Sequence, residues 1–152
     1  MVIHTVLCYL IKDNKVLLQK KSKGLFGGGK WNGPGGKINK TENPHECAKR
    51  EILEEVGVKV SNFEKCGLLK FFRENELFII NHVFLTKKFE GNPKSGKEGV
   101  VNWFNFDELP LKEMWPDDKV WMPLMLQEKK FEGDFYFDND YKKLIDHKIN
   151  VI

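Results

Sequence analysis

Five residues between positions 42 and 57 have the types and spacing of a chemical centre: Glu42, Arg50, Glu51, Glu54 and Glu55. Asn43-Pro44-x-Glu46 reads as a helix start, with Asn as N-cap, Pro at the first helical position and Glu closing a capping box. Gly57 reads as its left-handed stop. At about 100° per residue, Glu51, Glu54 and Glu55 share an arc of about 100°, while Ile52, Leu53 and Val56 turn toward a core. Glu51 and Glu55 repel each other at i,i+4. Hard carboxylate oxygens crowded on a rigid element suit Mg²⁺, which removes that repulsion. Arg50 is placed to pair with a neighbouring glutamate and hold it in one rotamer. Standing alone, E-x-x-E-E reads more simply as a solvated acidic face; only the wider spacing separates the two.

A second group has the chemistry of a purine pocket. Trp115 offers a flat face on which a base can stack, worth about 1–3 kcal/mol. Asp117 and Asp118 are adjacent carboxylates able to accept from the N–H donors of a guanine edge. Close together and partly desolvated, they cannot both ionise easily, so the pair can share a proton and both accept and donate. Asn32, with one acceptor and two donors, can complete the edge. The plainer readings are a core tryptophan and an aspartate pair that merely starts a helix. Of the basic residues, Lys21, Lys23, Lys30 and Lys37 are candidates to meet a triphosphate, and the sequence does not choose among them.

The elements that must position these groups are those of a mixed α/β protein. Residues 3–11 read as a strand, 12–14 as a turn and 15–20 as its hairpin partner. Residues 21–40 are glycine-rich and read as loop. Further strands are expected at 58–65, 67–73, 77–87 and 100–106, with a hairpin turn at Glu74-Asn75-Glu76. A second helix near Pro116 should carry Val120, Trp121, Leu124 and Met125 inward, with Pro123 an obstacle inside it. Phe131, Gly133, Phe135 and Phe137 alternate, and 144–151 can return as the last strand. The length, 152 residues, fits one domain spanning 1–152. The net charge of +3 is too mild to argue for duplex nucleic acid or an anionic membrane. Cys8, Cys47 and Cys66 lack metal-knuckle spacing and cannot all pair, which favours a reducing compartment. The N-terminal stretch has no basic region or cleavage site, and no apolar run approaches the roughly 20 residues of a membrane span. A soluble, cytoplasmic monomer is expected.

From Gly36 the sequence runs G-x5-E-x7-R-E-I-x-E-E-x-G-V, which matches the Nudix box at every position. The chain therefore resembles the Nudix hydrolases, which cleave a nucleoside diphosphate linked to another group X on an α/β/α sandwich with a mixed sheet. The resemblance implies that Glu51, Glu54 and Glu55 bind Mg²⁺ or Mn²⁺, joined by the Gly35 carbonyl and by Glu98, and that Glu42 and Arg50 orient them. The strings W-N-G-P-G-G-K at 31–37 and M-W-P-D-D at 114–118 are similar to those of the MutT-homologue type, the oxidised-purine nucleoside triphosphatases. That similarity implies conversion of purine nucleotides such as 8-oxo-dGTP to the monophosphate and pyrophosphate, with Phe26, Asn32, Gly36, Lys37, Trp115, Asp117 and Asp118 meeting the substrate. Two positions depart from the type: Pro34 stands where an aromatic residue is expected, and Arg73 where a second Phe follows Phe71. Both bear on the base pocket and not on the metal chemistry. Rival readings keep the box with another X (ADP-ribose, a dinucleoside polyphosphate or capped RNA) or make the chain a silent nucleotide-binding module. The first two X groups go with a Pro or Tyr beyond the box, which residues 59–92 lack; the intact acidic positions weigh against the silent module.

Overall fold

The computed structural model describes residues 1–152. Strands β1 (Ile3–Lys12) and β2 (Lys15–Lys21) form a hairpin. Its two turn residues, Asp13 and Asn14, both have left-handed φ, 52° and 59°. Asp and Asn tolerate that region, and such a turn matches the strand twist. The two strands pair only at Ile11–Val16 and Lys12–Lys15, then part. Into the gap enters the segment carrying β3 (Trp31–Asn32), which pairs with β2, and β4 (Gly35–Lys37), which pairs with β1. These strands of two and three residues lie in a stretch expected to be loop. They are too short to show a period, and only their partners make them strands.

The remaining strands, β5 (Glu64–Arg73), β6 (Glu76–Thr86), β7 (Gly99–Asn105), β8 (Phe131–Phe137) and β9 (Leu144–Val151), complete a mixed nine-stranded sheet. β6 runs parallel to β1 and β8 parallel to β5. Alternation along β1 divides the core. Val6, Cys8 and Leu10 pack with Ile52 and Val56 of helix α1 (Pro44–Val56), whereas Leu7, Tyr9 and Ile11 pack with Trp121, Met122 and Met125 of helix α2 (Asp118–Leu126). The helices thus lie on opposite faces of the sheet, as expected for an α/β/α sandwich.

Three expectations are corrected. Residues 58–63 are not a strand beyond the single bridge of Lys59 to Glu90. Val58, Val60 and Phe63 among them are buried, so the apolar residues there report a loop pressed on the core. Leu53 is 53% exposed; it lies beyond the stripe that α1 turns to the sheet. In α2, Val120 and Leu124 are only partly buried, and Met122 takes a core place beside Trp121 and Met125. Pro123 does sit within α2, on its exposed side, and the helix ends one turn later.

Candidate functional site

The carboxylates of α1 are held as its capping implies. Asn43 accepts from Glu46 N and Glu46 Oε1 accepts from Asn43 N, both at 2.9 Å, and Gly57 closes the helix at φ 74°. This fixes the rotational phase of α1. Arg50 then gathers three glutamates. Its Nε and Nη2 donate to the two oxygens of Glu42 at 3.0 and 2.7 Å, and Nη1 donates to Glu51 at 2.8 Å and to Glu54 at 3.1 Å. The forked contact holds the Glu42 carboxyl down to about 2. Glu55 lies deeper, 8% exposed, and accepts from Gly35 N at 2.7 Å. Burial pushes its pKa up to about 8; the charge of Lys21 opposes this, and Glu51 and Glu98 add to it. Burial also raises Glu51, against the Arg50 contact.

β4 reaches this helix because its glycines have no side chain. A Cβ on Gly36 would stand 2.6 Å from the Glu51 carboxylate, and one on Gly35 would collide with the Val6 carbonyl. Gly35, Glu51, Glu54 and Glu55 therefore share one corner, and half-buried Glu98 is near enough for its charge to bear on Glu55. Glu98 is carried by a loop that donates Lys94 N to the Val56 carbonyl at the end of α1. Lys37 is exposed; its carbonyl, not its ammonium, meets Arg50 Nη2 at 3.4 Å. With Arg50 between Glu51 and Glu54, no three acidic side chains converge on a single point. The donor set nonetheless fits a hard divalent cation: carboxylate oxygens only, two of them desolvated and raised, with one guanidinium shared among three glutamates.

On the opposite face lies the second group. Asp117 and Asp118 are 4% and 2% exposed. Asp117 Oδ2 accepts from Trp121 Nε1 at 2.8 Å, while Asp118 Oδ2 is buried without a partner. Burial lifts Asp117 to about 6, and burial with the neighbouring Asp117 charge raises Asp118 well above the usual carboxylate range. The pair can therefore share a proton, so that together they both accept and donate. Tyr9, fully buried, packs edge-on against Trp121 at 5.9 Å, and its hydroxyl reaches Asn32 Oδ1 at 3.4 Å. Gly33 N also donates to that oxygen, at 2.9 Å, which leaves the Asn32 amide N–H groups for a ligand. Trp115 does not present a bare face. Phe26, 69% exposed, stacks on it at 5.3 Å, and Lys30 Nζ lies 5.3 Å from its ring. A base stacking there has to share Trp115 with Phe26 or displace it.

Among the predicted residues the structure thus forms two groups: Glu42, Arg50, Glu51, Glu54, Glu55, Glu98, Gly35 and Gly36 on the α1 side, and Asn32, Phe26, Trp115, Asp117 and Asp118 on the α2 side. Sequence reasoning missed Tyr9, whose hydroxyl supports Asn32, and Trp121, whose indole N–H supports Asp117. Both look like core aromatics, and only their O–H and N–H mark them. It also left Lys21 undistinguished from three other lysines, although Lys21 is the one whose charge bears on Glu55.

Comparison with known proteins agrees with this arrangement. Residues 2–125 match the NUDIX domain family. A Danio rerio protein named oxidized purine nucleoside triphosphate hydrolase is 40% identical over 148 residues, covering 96% of this chain and 93% of that protein. An 8-oxo-dGTP diphosphatase of Buchnera aphidicola is 32% identical over 104 residues, covering 68% of this chain and 78% of that protein. The crystal structure of a MutT mutator protein from Bacillus halodurans superposes with a TM-score of 0.85 at 28% identity, covering 98% of each chain.

Proposed function

This chain belongs to the Nudix family, and from that premise we propose that it hydrolyses oxidised purine nucleoside triphosphates such as 8-oxo-dGTP to the monophosphate and pyrophosphate. The observation that carries this reading is the segment 31–37. In seven residues it touches both groups, through Asn32 to Tyr9 and through Gly35 N to Glu55. A purine-reading pocket and a phosphate-cleaving corner therefore sit on either side of one thin strip of backbone. The names of the relatives point the same way.

In this reading Glu51, Glu54, Glu55, Glu98 and the Gly35 carbonyl hold the divalent cation that the family's chemistry needs, with Mg²⁺ the ion proposed and Mn²⁺ a substitute. Bound there, the metal neutralises phosphoryl oxygens and makes a water nucleophilic. The chain's own residues do the rest. Arg50, locked by Glu42, holds Glu51 and Glu54 in orientation, and Gly36 brings its backbone against Glu51, where the phosphates would lie. Lys21 and Lys37 offer charge to the phosphates. Asp117 and Asp118, sharing a proton, accept from and donate to the purine edge, Asn32 adds its amide, and Trp115 with Phe26 clamps the ring. The chain works as one monomeric Nudix domain spanning 1–152. A cytoplasmic setting accords with three unpaired, buried cysteines and with the finding that no helix is long and apolar enough to cross a membrane.

The test is hydrolysis of canonical and oxidised (d)NTPs, ADP-ribose and diadenosine polyphosphates with Mg²⁺ in ¹⁸O-water, with products identified by mass. Monophosphate plus pyrophosphate from 8-oxo-dGTP, in preference to dGTP, is expected. Orthophosphate as primary product, or turnover confined to ADP-ribose or a dinucleotide, would overturn the reading.

A further inference from the structure

A further group of side chains on the α2 side has no role in the reading above. Arg73, the last residue of β5, is half-buried and lays its guanidinium over two rings, 4.3 Å from the centroid of Phe78 and 5.7 Å from that of Tyr141. It forms no ion pair and no hydrogen bond with the protein. Tyr141 is 8% exposed and adopts a left-handed backbone at φ 58°, a conformation a bulky residue keeps only when its surroundings impose it. Its hydroxyl is buried with no partner. The Tyr141 ring packs on Phe78 and Phe137 and meets Phe26 edge-on at 6.3 Å. Phe26 in turn stacks on Trp115. A continuous run of contacts thus leads from Arg73 through Tyr141, Phe26 and Trp115 to the aspartate pair.

The two ends of that run are chemically opposite. The aspartate pair, sharing a proton, still offers acceptor oxygens to a purine's N–H groups. Arg73 has five N–H groups and no lone pair, and the Tyr141 hydroxyl, kept neutral by burial, has a proton with nothing to receive it. Donors left without acceptors in a half-dry pocket destabilise the empty protein, and an acceptor on a ligand removes that cost. A purine with N–H groups on one edge and a carbonyl on the other satisfies both ends together; an undamaged purine has only C–H at position 8. We propose that Arg73 and Tyr141 are specificity-determining residues that bind the C8 carbonyl oxygen of an oxidised purine. The inference rests on the purine-triphosphate reading and adds to it the atom by which damaged and undamaged bases are told apart.

Tyr141→Phe and Arg73→Met separate this from a purely structural role. In each variant kcat/KM is measured for 8-oxo-dGTP and dGTP, and binding of 8-oxo-dGMP and dGMP is measured by calorimetry without metal. The ratio of oxidised to undamaged substrate should fall by about 5- to 30-fold in each variant. The binding ratio should fall with it, while the Tm of the empty Tyr141→Phe protein stays level or rises because an unpartnered hydroxyl has gone. An unchanged ratio in Tyr141→Phe, whatever its Tm, makes Tyr141 a core residue and overturns the proposal. Should the wild type hydrolyse no purine triphosphate yet prefer 8-oxo-dGMP in binding, and lose that preference in Tyr141→Phe, the reaction reading falls and this one stands. No preference in wild-type binding ends it.

Discussion

The α1 corner and the α2 pocket handle buried polarity in opposite ways. At the α1 corner every charge but that of Glu98 comes from one helix and the loop before it, and each of those carboxylates has at least one oxygen answered inside the protein: Arg50 serves Glu42, Glu51 and Glu54, and Gly35 N serves Glu55. What is left over is negative charge, which is non-directional and suited to a cation. In the α2 pocket the groups come from β1, β3, β5, the start of α2 and the 138–143 loop, and single atoms remain unanswered, Asp118 Oδ2 and Tyr141 Oη. Such orphans are directional and suited to one arrangement of donors and acceptors on a ligand. The general chemistry of the family is thus built locally, and the choice of substrate is built by convergence.

This contrast can be broken first at its charged side. Glu54→Gln removes one oxygen charge from an exposed position and opens no cavity. Turnover should fall about 10³-fold, roughly 4 kcal/mol of transition-state stabilisation, with circular dichroism and the metal-free Tm unchanged; full activity in this variant would sink the metal assignment. Next, metal should stabilise the fold. With Mg²⁺ at a hundred times its Kd, the gain is about 2.7 kcal/mol over chelated protein, read as a rise in Tm that Glu54→Gln largely abolishes. Equal Tm with and without chelator would mean that no cation is held.

The pocket side is sharpened by the aspartates. Asp117→Asn and Asp118→Asn should each re-rank purine substrates by about 1–3 kcal/mol, or 5- to 150-fold in kcat/KM, without altering the Mg²⁺ requirement. The pair also sets a pH dependence. Asp117 is raised from 3.8 to about 6, and Asp118 is raised as well. The native state therefore holds protons that the unfolded chain has already released. The stability from this source is complete below pH 3.8 and is lost as pH rises through about 6. Urea titrations of the Asp117→Asn, Asp118→Asn double variant should show a flatter decline across that window; an identical slope would mean that the pair is not protonated in the fold. The smallest effect belongs to the cap. Asn43→Ala should cost about 1 kcal/mol, a fall of roughly 2–4 °C in Tm for a chain of this size, with kcat/KM at room temperature unaltered. A large loss of activity at that temperature would show that the phase of α1 depends on its cap.

The legible parts of the fold were those whose signals are contained in a few consecutive residues. Asn43, Pro44, Glu46 and Gly57 announced α1 to the residue because each acts on backbone groups within one helical turn. Lys12 to Lys15 announced the first hairpin for the same reason. The apolar residues of 58–63 misled because a loop pressed on the core buries Val and Phe as a strand does. β3 and β4 were invisible because their hydrogen bonds go to strands that their own residues do not specify.

By itself the sequence determined the acidic arc of α1, the place of Arg50 beside it and, through the spacing of Gly36, Glu42 and Gly57 around them, the Nudix family. These follow from helical periodicity and from spacing along the chain, which are local properties. Only the tertiary structure decided that Phe26 already lies on Trp115, that Tyr9 supports Asn32 and Trp121 supports Asp117, and that Arg73 meets Tyr141. Burial and contact are set jointly by every element that packs at a point. Position 73 meets position 141, 68 residues away in the chain, only because β5 and β8 run parallel and bring Arg73 beside Phe137, and no property of either residue alone contains that register.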